Sequence, residues 1–321
     1  MYRQATPAAS SPLPHRIHKS LLLASCADAI AASLHGTRLP STTDIDSAIT
    51  IKTDPAALSH HGEHLLLMAS HLAAHDGGLD EDNLVWTLAQ YAPHTADSGT
   101  ATVLSQVAQG IPWWQAAPAL HNGQGSHGSS AAVRACAAGL LPHHGLGAIA
   151  DIARRSAVTT HTHPWARDGA AITATATACR GLPGTSFTAN RFLAAVASQA
   201  HDRETAHYLS IVRTLVRHRA GPAETIATLN SAAGVLRTVP AALTAYLRHP
   251  SDPTAAVRYA LALGGHTRAI TIITAALAGA RNPQYHPPST WRAQSHALRI
   301  HPIANALAAL KNTSPQPWRN P

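Results

Sequence analysis

The sequence predicts an all-α protein built as a single domain, and three observations support this prediction. Apolar residues make up 45% of the 321 residues and fall in many short blocks with helical spacing, whereas the alternating pattern of a β-strand is almost absent. Alanine, the strongest helix former, dominates these blocks. Glycine and proline lie between the blocks, so we expect them to separate helices.

The predicted helices follow one another along most of the chain. The segment 20–33 is apolar nearly all round, which predicts a central, buried helix. The later predicted helices cover 63–74, 82–91, 130–140, 147–158, 164–179, 186–199, 202–217, 222–229, 241–247, 254–263 and 267–280. Residues 1–15 and 312–321 are rich in Pro, Ser, Asn and Gln without periodicity, which predicts disordered tails around a domain at 16–311.

Composition and charge argue against several classes of protein. The net charge is +8 with histidine neutral, but only 12% of residues are charged and the basic residues are dispersed, so nucleic-acid binding is not favoured. No stretch approaches the roughly 20 apolar residues of a membrane span, and no apolar signal core is seen near the N-terminus. Cys26, Cys136 and Cys179 are too few for a disulfide framework, which predicts reduced thiols in a cytoplasmic protein.

The most informative segment is a glycine-rich loop at 123–134, GQGSHGSSAAVR, which opens directly into a helix. Glycines let the backbone approach a ligand closely, and their N–H groups can point at an anion such as a diphosphate. The alternative is a plain helix entry capped by serines. The candidate ligand-binding residues of the loop are Gly125, Ser126, His127, Gly128 and Ser129.

Two further segments carry residues with possible chemistry. The segment 156–164, SAVTTHTHP, places His161 and His163 in a short turn between two helices, where they contact a ligand or metal or else cap backbone groups. The segment 263–270, LGGHTRAI, is a Gly-Gly turn that leads into an alanine-rich helix, and its alternative interpretation is a simple packing element.

In this order the three segments resemble the ADP-ribosylglycohydrolase family. The loop at 125–134 resembles the family's G-S-Y-G-N-G-A-A-M-R, and 160–164 with 168–170 resembles T-H-x-H-P…D/E-G-A. Further segments are similar to other motifs of the family: 110–114, which precedes the loop, the opening helix at 20–31, the TVPAAL stretch at 238–243 and the glycine pair at 264–265. The resemblance covers roughly residues 16–290.

The resemblance implies an all-α fold with a cleft that binds ADP-ribose. At the cleft floor of such enzymes, two Mg²⁺ ions activate a water molecule that hydrolyses the bond from the ribose C1″ to a protein side chain. The motifs T-D-D-T and G-G-D-T-D-T hold these ions, because hard cations require carboxylate oxygens.

The sequence departs from both of these acidic motifs. The T-D-D-T position falls on residues 59–62, SHHG, or, with the register displaced by two, on 61–64, HGEH. The second motif reads GGHTRA at 264–269, and the loop asparagine is replaced by Ser129. Up to four carboxylates have thus become the imidazoles of His60, His61 and His266 and the guanidinium of Arg268, which repels divalent cations. We therefore predict that there is no Mg²⁺ pair and no other cofactor, with one softer ion such as Zn²⁺ on the three histidines as the alternative.

Three functions remain open from the sequence. The first is a pseudoenzyme that binds ADP-ribose or a related nucleotide through residues 125–130, with His161 and His163 near the ligand. The second is an enzyme of changed chemistry acting on a glycoside or specialised metabolite, with candidate catalytic residues His60, His61, His266 and Arg268. The third is an interaction protein with a relict cleft. Retention of the loop favours the first two, and loss of the metal motifs favours the first. The predicted partner is a small ADP-ribose-like ligand, and the sequence does not determine the oligomeric state.

Overall fold

Helices form nearly all of the computed structural model, which describes residues 13–34, 36–37, 39–50, 58–91, 98–142, 144–179, 187–293 and 297–311. No β-strand occurs in these ranges, so the prediction of an all-α fold is confirmed. The helices are α1 (Leu13–Ala32), α2 (Thr42–Thr50), α3 (His60–Ala74), α4 (Glu81–Tyr91), α5 (Ser98–Ala108), α6 (Trp113–Gly123), α7 (Ser130–Ala135), α8 (Leu146–Val158), α9 (Pro164–Ala178), α10 (Ala189–Ala197), α11 (Arg203–Arg217), α12 (Pro222–Thr228), α13 (Val235–Arg248), α14 (Pro253–Ala262), α15 (Thr267–Arg281), α16 (Ser289–Ala293) and α17 (Ala297–Ala309).

The centre of the molecule is the pair of helices α1 and α15, which pack against each other along their length. A Cβ atom at Gly279 would lie 2.5 Å from the Lys19 carbonyl oxygen, so only glycine allows this approach of the two backbones. The Ser20 hydroxyl donates to the Ala276 carbonyl oxygen at 2.9 Å across the same interface. The prediction of a central, buried first helix is therefore confirmed, although α1 begins at Leu13, inside the predicted tail 1–15.

Several helix boundaries differ from the sequence prediction. The predicted helix 241–247 is the second half of α13, which begins at Val235 and contains Pro240. Pro118 and Pro302 also lie inside helices, so the expectation that proline only separates helices was wrong. Burial of α13 on both sides of Pro240 outweighs the loss of one backbone N–H donor. Helices α2, α5, α6, α16 and α17 were missed, and the predicted tails fall largely on residues 1–12 and 312–321, outside the described residues.

The short helix α7 brings the segments of interest together. All six of its residues are buried, and it packs against α3, α8, α9 and α15. The glycine-rich loop precedes α7, the two-histidine turn joins α8 to α9, and the N-terminal ends of α3 and α15 lie near α1. Within the described ranges, no helix is both long and apolar enough to cross a membrane.

Candidate functional site

The glycine-rich loop leaves α6 through a sharp change of backbone direction. His121 and Asn122 have φ of 52° and 58°, and Gly123 and Gly125 have φ of 87° and 73°, so this stretch is left-handed at four positions. The Gly125 N–H donates to the Leu120 carbonyl oxygen at 2.9 Å. These bonds and dihedral angles give the loop a defined shape that glycine is needed to adopt at its tightest points.

Two of the loop's predicted ligand contacts are partly engaged inside the loop itself. The Gly128 N–H donates to the Ser126 hydroxyl at 3.1 Å, and the side chain of Ser126 is buried. Ser129 occupies the N-cap position of α7 but accepts no side-chain hydrogen bond from the helix. The alternative interpretation of this segment, a helix entry capped by serine, is therefore not supported at Ser129.

The loop lies directly against the turn that carries the two histidines. A Cβ atom at Gly125 would be 1.9 Å from the Thr162 hydroxyl oxygen, and one at Gly128 would be 3.1 Å from Nε2 of His161. On its other side, a Cβ atom at Gly234 would be 2.3 Å from the His127 carbonyl oxygen. The loop 123–129 is thus held between the turn 159–163 and the start of α13, and we call the loop and the turn together the loop–turn site.

A buried arginine orients the first histidine of the turn. Arg134, on α7, is fully buried, and its Nη2 donates to the Thr160 hydroxyl oxygen at 2.8 Å while its Nε donates to the Ser156 hydroxyl at 3.0 Å. The Thr160 hydroxyl in turn lies 2.7 Å from Nδ1 of His161. Because this hydroxyl already accepts from Arg134, its own hydrogen can donate to Nδ1, which favours the His161 tautomer with the proton on Nε2. The proton-bearing nitrogen then faces Gly128.

The second histidine of the turn belongs to a cluster of rings. The centroid of His163 is 4.7 Å from that of Trp165 and 5.6 Å from that of His127, and His121 stacks on His127 at 6.1 Å. Nδ1 of His163 accepts a hydrogen bond from the Trp165 N–H at 3.2 Å, which confirms that a histidine of this turn caps backbone groups. Burial, followed by the charge of His127, lowers the pKa of His163, so this imidazole favours its neutral form.

A second group of residues lies on α1, at the start of α3 and at the start of α15. We call this group the floor cluster: Asp28, Ser59, His60, His61 and Arg268. The Ser59 N–H and hydroxyl donate to the two carboxylate oxygens of Asp28 at 2.7 and 2.6 Å. A Cβ atom at residue 62 would be 2.4 Å from Oδ2 of Asp28, so the glycine there is needed. Burial raises the pKa of Asp28, while the bonds from Ser59 and the charge of Arg268 oppose that rise.

The histidines predicted at the cleft floor do not share one environment. The rings of His60 and His61 lie 4.0 Å apart at the start of α3, half-buried and buried respectively. His266 is exposed at the N-cap position of α15, and Arg268 follows in the first turn of that helix, half-buried. Among the described residues, Arg268 has no ion pair within 4.0 Å, and its buried Nε has no hydrogen-bond partner.

This donor set does not fit a pair of hard cations. The positions predicted for the family's acidic motifs supply a hydroxyl, imidazoles and a guanidinium, and both oxygens of the neighbouring carboxylate, Asp28, already accept from Ser59. In the displaced register the motif includes one carboxylate, Glu63, and both of its oxygens accept from Arg299. The buried Nε–H of Arg268 is a donor where a cation would require an acceptor. In the ranges that the structure describes, no group of three or more His, Cys, Asp or Glu side chains is arranged to hold a metal ion.

The sequence analysis missed a pocket beside the turn. This pocket of about 220 Å³ is lined by Arg154, Pro164, Arg167, Asp168, His201 and Asp202. Asp168 accepts from Nη2 of Arg154 at 3.1 Å and from the backbone N–H groups of His201 and Asp202 at 2.7 Å each. The DGA motif at 168–170 marked one wall of the pocket, but its other wall is more than thirty positions away in sequence.

Comparisons with known proteins agree with these observations. A family model described as ADP-ribosylglycohydrolase matches residues 9–317. A solved structure described as "ADP-ribosylglycohydrolase-related protein complex" is similar with a TM-score of 0.70 and 17% sequence identity, over 94% of this chain and 99% of that chain. No curated protein sequence matches the chain. At this identity, the structural likeness establishes the fold, and the match along almost the whole chain agrees with the resemblance of the sequence motifs.

Proposed function

We propose, from the premise that this chain belongs to the ADP-ribosylglycohydrolase family, that it is a pseudoenzyme: it binds ADP-ribose or a related nucleotide and does not carry out Mg²⁺-dependent hydrolysis. The observation that carries the proposal is the contrast between an ordered loop–turn site and a floor cluster without a carboxylate set for metals. The ligand contacts are proposed to be residues 125–130, His161 and His163.

The geometry of the loop supports the binding half of the proposal. Glycine at 125 and 128 keeps the loop backbone close to the turn, and the chain from Arg134 through Thr160 orients His161 with its Nε2 toward Gly128. A loop and a turn that are already held in one conformation need little further ordering when a ligand binds to them. His163 and Trp165 add flat ring surfaces next to the same loop.

The floor cluster supports the second half. Metal-dependent hydrolysis requires ligands that hold the ions and a water molecule that the ions activate. In the register 59–62, the positions predicted to supply carboxylates hold Ser59, His60, His61, His266 and Arg268 instead, and the register 61–64 adds one carboxylate, that of Glu63. No cofactor is therefore part of the proposed function.

Calorimetry with ADP-ribose on EDTA-treated protein tests the binding. The wild type should bind, and Gly128→Val should weaken binding by at least about tenfold, because its side chain would enter the space between the loop and His161. Gly147→Ala is the matched control, since a Cβ atom there meets nothing within 4 Å. Both variants should retain the wild-type helical circular dichroism. No binding by the wild type, or equal affinity in Gly128→Val, would contradict the proposal.

Release of ADP-ribose from modified arginine or serine tests the chemistry. We expect no release, with and without added Mg²⁺, because the floor cluster has no carboxylate pair to hold the ions. Turnover that depends on Mg²⁺ and is abolished by EDTA would refute the pseudoenzyme.

The alternative function is a metal-independent enzyme of altered chemistry. The observation that favours it is the pair of imidazoles of His60 and His61, whose ring centroids are 4.0 Å apart. They follow Ser59, which donates to the buried carboxylate of Asp28. Imidazole is the usual general acid or base near neutral pH. His266 and Arg268 are its other candidate groups. Turnover of a glycoside or specialised metabolite that persists in EDTA and is lost in His60→Gln would establish this function instead.

Three broader expectations from the sequence remain predictions. They are a cytoplasmic location, the absence of nucleic-acid partners and the absence of membrane partners. Within the described residues, Cys26, Cys136 and Cys179 form no disulfide bond.

A further inference from the structure

The floor cluster contains a positive charge whose hydrogen-bonding capacity is not used within the described residues. Arg268 lies half-buried in the first turn of α15, its Nε is buried without a partner, and it forms no ion pair within 4.0 Å in the part of the chain that the structure describes. A buried guanidinium N–H without an acceptor is unfavourable, because it has lost its hydrogen bonds to water and gained none in the protein. Such a donor is expected to have a partner in the functional state of the protein.

The two carboxylates that act on this region are already engaged. Both oxygens of Asp28 accept hydrogen bonds from Ser59. Both carboxylate oxygens of Glu63 accept from Arg299, each at 2.8 Å, in a bidentate ion pair. Neither carboxylate forms a hydrogen bond with Arg268 in the described structure, so neither supplies the missing acceptor.

The helix that carries Arg268 adds to the positive potential. α15 is 15 residues long, has no acidic residue in its first turn, and its N-cap residue, His266, makes no side-chain capping bond. Its first backbone N–H groups therefore have no capping side chain, and the positive end of the helix dipole lies at Arg268. An anion at this point would meet a guanidinium and a helix N-terminus together.

We propose that the floor cluster is an anion site, in which Arg268 and the N-terminus of α15 bind an oxyanion of the ligand, a phosphate or a carboxylate. The proposal deepens the proposed function and rests on it in one respect: the ligand held by the loop–turn site carries a second acidic group that reaches the floor. α7, which follows the loop, packs against both α3 and α15, so one buried helix joins the two sites. The ligand class is therefore a nucleotide-like molecule with acidic groups at two separate positions.

Titration of inorganic phosphate and of acetate into the EDTA-treated full-length protein tests the anion site by calorimetry. The titrations are performed on the wild type and in the Gly128→Val background, so that phosphate held by the loop does not obscure the floor. Phosphate or acetate should bind in both backgrounds, and the stronger of the two identifies the oxyanion. Arg268→Gln should weaken this binding by at least about tenfold. Arg268→Lys, which keeps the positive charge but loses the planar guanidinium, should weaken it less.

The matched control is Arg213→Gln, since Arg213 is an exposed arginine on α11. We expect it to change phosphate affinity by less than about twofold. A second measurement does not depend on any variant: crystals soaked in bromide should show an anomalous peak beside the guanidinium of Arg268.

The outcomes separate the two proposals. If neither anion binds and bromide shows no peak at Arg268, or if Arg268→Gln binds as the wild type does, the anion site is overturned. If phosphate binding depends on Arg268 but ADP-ribose does not bind the wild type, the proposed function fails and the anion site stands. If ADP-ribose binds in a manner that depends on Gly128 while no anion binds at the floor, the proposed function stands and the further inference fails.

Discussion

The loop–turn site and the floor cluster each contain a buried charged residue, and neutral groups of opposite hydrogen-bonding role surround the two residues. At the loop–turn site, the guanidinium of Arg134 donates to the hydroxyls of Ser156 and Thr160. At the floor cluster, the carboxylate of Asp28 accepts from the backbone and hydroxyl of Ser59, and the neighbouring Arg268 keeps an unused donor. At the first site a network of buried hydrogen bonds fixes the orientation of His161, whereas at the second the Nε of Arg268 has no acceptor among the described residues. The comparison shows that, in this fold, an ordered glycine-rich loop occurs together with a cluster in which a guanidinium acts on a buried carboxylate.

The largest expected effect comes from removing the guanidinium of Arg134, which supports the loop–turn site. Arg134→Met should lower the free energy of unfolding by roughly 3–5 kcal/mol, because several buried oxygens lose a charged donor, and it should abolish ADP-ribose binding by releasing His161. Urea denaturation measures the first effect and calorimetry the second. Arg237→Met, at a half-buried arginine, is the control. A loss below about 1 kcal/mol would show that the network does not stabilise the fold.

The second prediction concerns His71, a histidine of α3 that stabilises the fold, in contrast to His60 and His61 of the floor cluster. His71 is buried and its Nε2 accepts from the Asp80 N–H at 3.1 Å, and burial followed by the charge of His75 lowers its pKa from 6.5 to about 4. The unfolded chain therefore binds a proton that the folded chain excludes between these values. The contribution of neutral His71 to the free energy of unfolding is fully present above pH 6.5. This contribution is lost as the pH falls toward 4, by roughly 3 kcal/mol in total.

His71→Gln should remove this part of the pH dependence, because glutamine can accept the Asp80 N–H and has no proton to gain. The measurement is the difference between the unfolding free energies of variant and wild type from neutral to acidic pH. His207→Gln, at an exposed histidine of α11, is the control. Parallel curves for His71→Gln and the wild type would contradict the assignment.

The third prediction compares two glycines of the loop with the same backbone conformation. Gly123 and Gly125 both have positive φ, but only at Gly125 does a Cβ atom meet another group, the Thr162 hydroxyl at 1.9 Å. Gly123→Ala should reduce stability by about 1 kcal/mol from backbone strain alone, and Gly125→Ala by roughly 2–4 kcal/mol with loss of ligand binding. Thermal denaturation of the two variants measures the difference. Equal losses would mean that the loop does not depend on its contact with the turn.

The smallest effect is expected at the floor cluster. Ser59→Ala removes the hydroxyl that donates to Asp28 and leaves the backbone donor in place, so stability should fall by about 1–2 kcal/mol while ADP-ribose binding at the loop persists. Ser210→Ala, where an exposed hydroxyl donates to a carbonyl of its own helix, should have almost no effect on stability. If Ser59→Ala abolished nucleotide binding, the two sites would not be independent.

Much of this molecule could be predicted from local sequence patterns. The helical periodicity and alanine content predicted α3, α4, α8, α9, α11 and α15 to within a few residues, since helix formation depends on near neighbours. The prediction was wrong at α13, where proline was taken as a boundary. Helices such as α2 and α5 were missed, and the stability of helices of this length depends on packing that no local pattern records.

The sequence by itself determined the helical composition and the position of the glycine-rich loop, and it predicted that His60, His61, His266 and Arg268 replace the acidic motif residues. These features depend on residue identity and local spacing, which can be inferred before the chain is folded. Only the tertiary structure decided that Ser59 engages Asp28, 31 positions away, and that Arg134 orients His161 through Thr160. It also separated the exposed His266 from the half-buried Arg268. These pairings depend on how distant helices pack, because a hydrogen bond forms only where packing brings donor and acceptor within about 3 Å.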